Sequence, residues 1–249
     1  MQKNTYSLLQ SMNISSKVLD AIDSAEKEVS GIFEELDDIM AFNQYKVLNA
    51  FQKHRISDMH FQWHTGYGYD DPGREALEKV YAELFHTETA LVRPIIVNGT
   101  HALTLTLTGI LRPSDQLIYC TGKPYDTLEE VIGLREQGRG SLMEFGVSYD
   151  QVELLADGSI DLAAVKAAIT PATRVMTVQR ATGYGWRKAI TIDEIETWAA
   201  CVHSVNPDII CMVDNCYGEF LDTKEPTEVG VDVVAGSLIK NPGGGLALT

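Results

Sequence analysis

The first 60 residues place apolar side chains at helical spacing. Val18, Ile22, Ala25, Val29, Ile32, Phe33, Leu36 and Met40 recur at steps of three and four, which sets them along one helix face. Glu28, Glu34, Glu35, Asp37 and Asp38 fall mostly on the other face, as on a solvated helix or an acidic partner surface. Such a stripe must pack on something, either the main domain or a second subunit. Residues 61–73 are rich in aromatic residues, Gly and Asp, and Gly66, Gly68, Pro72 and Gly73 mark them as a loop. Helical periodicity returns over 74–85, with Leu77, Val80, Tyr81 and Leu84 in register. Beyond it the pattern alternates. Strands are expected at 90–97, 116–120, 174–179, 208–213 and 231–237, and an extended stretch at 147–155. Helices are expected at 99–110, 128–136, 161–169 and 191–202, with Asp161 as a cap. This alternation predicts an α/β fold, a three-layer α/β/α domain around a mainly parallel sheet. The expected organisation is a helical segment at 1–60 followed by one α/β domain at 61–249. The last residues, Gly243-Gly-Gly-Leu-Ala-Leu-Thr249, read as a loop entering a further strand, so a longer protein is expected.

Composition narrows the function classes more than the fold. An apolar fraction of 45% and a charged fraction of 22% are those of a soluble globular chain. Four Cys are too few for a disulfide scaffold. The formal charge of −15 disfavours nucleic acid and anionic membrane surfaces as partners. A small anion remains possible as a ligand, because local donors outweigh global charge at a site. No stretch approaches the ~20 apolar residues of a membrane span. The N-terminus lacks the basic start and apolar run of a signal peptide, so a cytoplasmic protein with reduced thiols is expected.

Several chemistries are absent. There is no Gly-x-x-x-x-Gly-Lys-[Ser/Thr] loop, no Gly-x-Gly-x-x-Gly fingerprint and no Gly-x-Ser-x-Gly elbow. His60 and His64 lack the Glu of a zinc protease between them, and no metal site is expected. Four loops remain, each after an expected strand. Asn98-Gly-Thr-His101 opens a helix, either as an ordinary cap or as a cradle for a phosphate on the amides of Gly99 and Thr100. Tyr125 offers a flat face to an aromatic ligand or packs on the core. Asp214 ends an apolar run and needs a cation or several donors to be buried. Lys240, three residues after Ser237 and beside a glycine-rich loop, is a poor surface lysine, and near a cation its amine would become nucleophilic.

One ligand suits all four loops: pyridoxal 5'-phosphate. Lys240 would form the Schiff base, Asp214 would pair with the pyridine nitrogen, and Tyr125 would stack on the ring. The Gly99 and Thr100 amides and the Ser237 hydroxyl would hold the phosphate.

The ordered set resembles the fold-type I pyridoxal-phosphate enzymes. Within them it is most similar to the methionine and cystathionine γ-lyase relatives, and among those to the bacterial aluminium resistance protein branch. The resemblance rests on Gly66-Tyr-Gly-Tyr-Asp-Asp-Pro-Gly-Arg74, Asn98-Gly-Thr-His-Ala102, the stretch from Gly122 to Ile132, Gln179-Arg180, Val213-Asp-Asn-Cys-Tyr-Gly-Glu-Phe220 and the stretch from Ser237 to Gly245. It implies the large domain of that fold, a missing C-terminal domain, and a homo-oligomer with its site at the dimer interface. Tyr67 falls where such enzymes place a Tyr that reaches the neighbouring subunit's phosphate. The chain departs from the γ-lyases in having Tyr67-Gly-Tyr69 where they have Tyr-x-Arg, and Ile239 where they commonly have Ser or Thr. Arg180 is a candidate for a substrate carboxylate or cofactor contact, or else for a structural ion pair.

The expected function is therefore a carbon–sulfur lyase acting on a sulfur-containing amino acid by β- or γ-elimination. Aldol cleavage, transamination or a non-catalytic interaction role are the alternatives.

Overall fold

A computed structural model of the chain describes residues 3–64, 71–135, 139–241 and 243–244. The chain divides into two compact units, Met1–Tyr45 and Lys46–Thr249. The first holds α1 (Lys3–Ser11), α2 (Ser16–Glu28) and the start of α3 (Ser30–Lys53). The apolar stripe of the sequence is carried by two helices, because α2 ends at Val29, whose N–H closes on Ala25 O. Val18, Ile32, Phe33, Leu36 and Met40 on that stripe are exposed.

The second unit holds α4 (Pro72–Leu84), α5 (Gly99–Ile110), β1 (Gln116–Tyr119), α6 (Asp126–Ile132), β2 (Ser148–Gln151), α7 (Leu162–Ala168), β3 (Thr173–Gln179), α8 (Ile192–His203), β4 (Ile210–Asp214) and β5 (Val233–Ala235). The strands form one sheet in the order β2-β1-β3-β4-β5, and every pairing is parallel. Alternate strand residues feed two cores. Ile118, Met176, Val178, Cys211 and Val213 pack with Ile192, Ile195, Trp198 and Val202 of the α8 side. Leu117, Tyr119, Val175 and Met212 pack with Leu103, Leu107, Leu128 and Ile132 of the α5 and α6 side. Burial on both faces is why β4 reads as an apolar run up to Asp214, and why Thr177 and Gln179 are buried along with the apolar residues of β3. The result is the expected three-layer α/β/α architecture.

Helix boundaries follow local chemistry. Asn98, Asp161 and Thr191 cap α5, α7 and α8 by accepting the N–H of His101, Ala164 and Glu194. Thr104, Thr106 and Thr108 are tolerated inside α5 because each hydroxyl bonds the carbonyl four residues back, at 2.7, 2.9 and 2.8 Å. Two expectations are corrected. Residues 90–97 form no strand: Pro94 has no N–H to give a ladder, and Ile96 N–H closes a turn on Arg93 O at 3.0 Å. The strand expected at 231–237 shrinks to the three residues of β5. Among the described residues no helix is long and apolar enough to cross a membrane.

Candidate active site

A parallel sheet brings the carboxyl ends of its strands to one edge. Here the register is tight. Gln179 lies beside Asp214, and Asp214 beside Ala235. Arg180 N–H then reaches Asp214 O at 3.1 Å, and Asn215 N–H reaches Ala235 O at 2.8 Å. The loops after β3, β4 and β5 therefore leave the sheet together.

The start of α5 meets two of these loops. Gly99 is buried, and a Cβ added there would lie 2.9 Å from Cys216 Sγ and 3.5 Å from Ser237 Cβ. Glycine is what allows this close approach. The first N–H groups of a helix have no intrahelical acceptor, and Asn98 Oδ1 takes only that of His101, at 2.8 Å. Beside them the Ser237 hydroxyl is buried without a hydrogen-bond partner among the described residues. Open amides and an orphaned hydroxyl at a helix N-terminus form a donor set for an anion.

Asp214 is 4% exposed. Its Oδ1 accepts the Cys216 N–H at 3.1 Å. Burial pushes its carboxyl above the ordinary aspartate range, against the pull of the Cys216 donors and the Lys240 charge. Burial also raises the Cys216 thiol, and the Asp214 charge adds to that. A carboxylate held this way suits a cationic partner. Lys240 is half-buried, with Nζ 4.1 Å from the centroid of the Tyr217 ring. Its charge pulls against the burial that raises Asp214 and Glu219.

Tyr125 caps α6 and stacks on Tyr184, with ring centroids 5.6 Å apart and planes at 26°. Their hydroxyls are bonded at 3.0 Å, and this bond first of all raises the Tyr125 phenol to about 12. The Thr100 hydroxyl pairs with that of Thr127 at 2.7 Å, tying α5 to α6. The His101 ring accepts the Val97 N–H at 3.3 Å, a local contact.

Arg180 is buried. Its Nη1 donates to Asn215 Oδ1 at 3.2 Å and to Gly218 O at 2.6 Å. Asn215 Nδ2 donates in turn to Glu225 Oε2 at 3.2 Å, and Phe220 N–H to Glu225 Oε1 at 2.8 Å. Arg180 therefore braces the turn that follows Asp214. Tyr67 lies outside the described residues.

The sequence reading gave no role to Glu219, Tyr217, Cys216 or Tyr184. The stretch Val213–Phe220 carried the first three in plain view. Tyr184 has no local signal, being 59 residues from its partner.

These residues fit pyridoxal phosphate. The orphaned Ser237 hydroxyl at the α5 N-terminus matches a phosphate, the buried Asp214 matches a protonated ring nitrogen, and Lys240 supplies an amine.

Comparison with known proteins places these features in context. The chain matches the family model described as methionine gamma-lyase over residues 18–249. It is 51% identical over 225 residues to the uncharacterized protein YnbB of Bacillus subtilis (strain 168), covering 90% of this chain and 53% of that protein. The chain thus spans about half the length of this relative. A solved structure from Clostridium novyi NT, described as a carbon-sulfur lyase involved in aluminum resistance, is 49% identical with a TM-score of 0.90. That match covers 96% of this chain and 57% of the other. A cystathionine gamma-lyase from Lactobacillus plantarum shares the fold, at 22% identity and a TM-score of 0.53 over 72% of this chain and 42% of that one.

Proposed function

The chain belongs to the methionine gamma-lyase family, and from that premise we propose that it forms the cofactor-binding part of a pyridoxal-phosphate-dependent carbon–sulfur lyase. Its substrate would be a sulfur-containing amino acid, cleaved by β- or γ-elimination. The observation that carries the reading is the convergence of Gly99, Ser237 and the Asp214–Cys216 turn at one sheet edge, with the Ser237 hydroxyl buried and unpartnered.

Each residue has a role set by its surroundings. The amides of Gly99 and Thr100 and the Ser237 hydroxyl hold the phosphate. The backbone donates here, so local donors act against the chain's net negative charge at this point. Asp214 holds a proton on the ring nitrogen. Its burial strengthens that pairing, because a neighbouring cation relieves the cost of an isolated carboxylate. Tyr125 takes the ring face. Lys240 Nζ would be the amine held for the aldehyde and would take the proton from the substrate Cα. When bound, pyridoxal phosphate supplies an electron sink for the charge left at that carbon. Arg180, bonded to Asn215 and Gly218, keeps the turn after Asp214 in place. The same reading makes a homo-oligomer the working unit.

An absorption titration with pyridoxal phosphate tests the assignment. Wild type is expected to develop a visible band that borohydride removes, and Lys240→Ala to develop none. Keto acid, ammonia and thiol as products identify elimination; glycine plus aldehyde would identify aldol cleavage. The absence of a band in wild type would overturn the cofactor assignment.

A further inference from the structure

Glu219 is 1% exposed and lies on the turn that follows Asp214. Its Oε1 accepts the Ser237 N–H at 2.9 Å. Its Oε2 is buried without a hydrogen-bond partner among the described residues. A buried carboxylate is costly, so an apolar side chain would serve better if filling space were the only need. The β5 loop is shaped to receive it: a Cβ on Gly236 would overlap Glu219 Oε1. The same two segments are joined again further on. Asn241 Nδ2 donates to Tyr217 O at 2.7 Å and to Glu219 O at 3.4 Å. Lys240 Nζ sits over the Tyr217 ring. The turn 216–219 is thus a template on which the segment 236–241 is laid, and Glu219 grips that segment at Ser237.

We propose that Glu219 is a positioning residue for phosphate binding: by holding the Ser237 amide it fixes the Ser237 hydroxyl beside the N-terminus of α5. This rests on the functional reading above. It adds a role for a side chain that reading does not use. Glu219 touches no part of the ligand; it acts through Ser237.

Pyridoxal and pyridoxal phosphate separate this role from a general structural one, because they share the ring and the aldehyde and differ in the phosphate. Binding of both to the full chain is measured by fluorescence titration. The proteins are wild type, Glu219→Met, Glu219→Gln, Ser237→Ala and the Glu219→Met/Ser237→Ala double variant, with circular dichroism melts to confirm folding. Methionine fills the glutamate volume but cannot accept the Ser237 N–H. Glu219→Met is expected to weaken pyridoxal phosphate about tenfold, the loss of one hydrogen bond to a charged group, and to leave pyridoxal unchanged. Glu219→Gln keeps an acceptor oxygen and is expected to retain most of the affinity. In the Ser237→Ala background Glu219→Met is expected to add little, because the hydroxyl it positions is already gone. Should Glu219→Met fail to fold, Glu219→Asp, one methylene shorter, withdraws the oxygen from the amide and carries the same expectation. Equal losses for both ligands, or full additivity with Ser237→Ala, would overturn the proposal and leave the cofactor assignment standing. A wild type that binds neither ligand would overturn the cofactor assignment, and this proposal with it.

Discussion

Replacing Asp214 by Asn should make the free protein more stable and the liganded protein less so. Asp214 is buried at the end of β4, and burial raises its carboxyl above the ordinary 3.8. Asparagine has the same shape and keeps an oxygen for the Cys216 N–H, bonded at 3.1 Å. The substitution therefore removes a buried charge without opening a cavity. Relief of a functional site's strain commonly yields about 0.5–2 kcal/mol. For a chain of this size each kcal/mol moves the melting temperature by about 2–4 °C. A rise of about 2–4 °C near neutral pH is the central expectation. The sign with pH follows from the raised folded value. The stability Asp214 contributes is fully present below 3.8 and is lost as pH rises through its folded pKa. The gap between variant and wild type should thus be widest at neutral pH and close on acidification towards about pH 4. Thermal melts by circular dichroism across that range, without ligand, read it directly. With pyridoxal phosphate at 100 times the wild-type Kd, ligand binding stabilises wild type by about 2.7 kcal/mol. The variant gains less, and the order of melting reverses once its Kd is more than about sixfold weaker, because its gain then falls below about 1.7 kcal/mol. A variant that melts below wild type at neutral pH without ligand, or a gap that persists in acid, would refute the reasoning.

Two further outcomes follow from neighbouring groups. Arg180→Met strips a buried cation from Asn215 Oδ1 and Gly218 O and should cost about 3 kcal/mol in urea unfolding; Glu225→Gln in that background should recover part of it, because burial already raises the Glu225 carboxyl and the Arg180 charge opposes that rise. Tyr184→Phe removes the hydroxyl that chiefly raises the Tyr125 phenol to about 12, so an ultraviolet phenolate titration should show Tyr125 ionising closer to its ordinary 10.0.

The sheet was legible because its physics is local. Strands buried on both faces leave apolar stretches such as residues 210–213 and the β-branched and apolar residues of 173–178, and the helices between them carry their own caps. Residues 90–97 misled for the same reason: they have strand composition, but pairing is a tertiary property, and Leu91, Ile95 and Val97 are exposed. Asp214 stood out because a carboxylate after an apolar run is conspicuous. Glu219 did not, since an acid between Gly218 and Phe220 reads as an exposed turn. Its buried position depends on space left by Gly236, which is 17 positions away in the chain. Arg180 could be narrowed to two roles from sequence. Its contacts with Asn215 and Gly218 are visible only once β3 and β4 lie side by side.

Among the described residues, unpartnered buried polar atoms occur both within the cores and at the carboxyl edge of the sheet, and two of those at the edge share one loop contact. In the cores they include the Tyr119 hydroxyl and the Trp198 indole N–H. What sets the carboxyl edge apart is charge: Asp214, Glu219 and Glu225 are each buried there, with carboxyls raised by that burial. Two of the orphaned polar atoms, Ser237 Oγ and Glu219 Oε2, belong to the same loop contact. Buried polar groups normally find partners, and exceptions concentrate where a partner arrives from outside. An anion-binding end at the α5 amides and an acidic end at Asp214 call for an occupant of opposite polarity, with a phosphate at one end and a protonated nitrogen at the other. A simple anion would leave Asp214 unrelieved, and a simple cation would leave the Ser237 hydroxyl and the helix amides without an acceptor. Pyridoxal phosphate, the cofactor proposed above, would meet both demands, and Lys240 would supply the amine for its aldehyde.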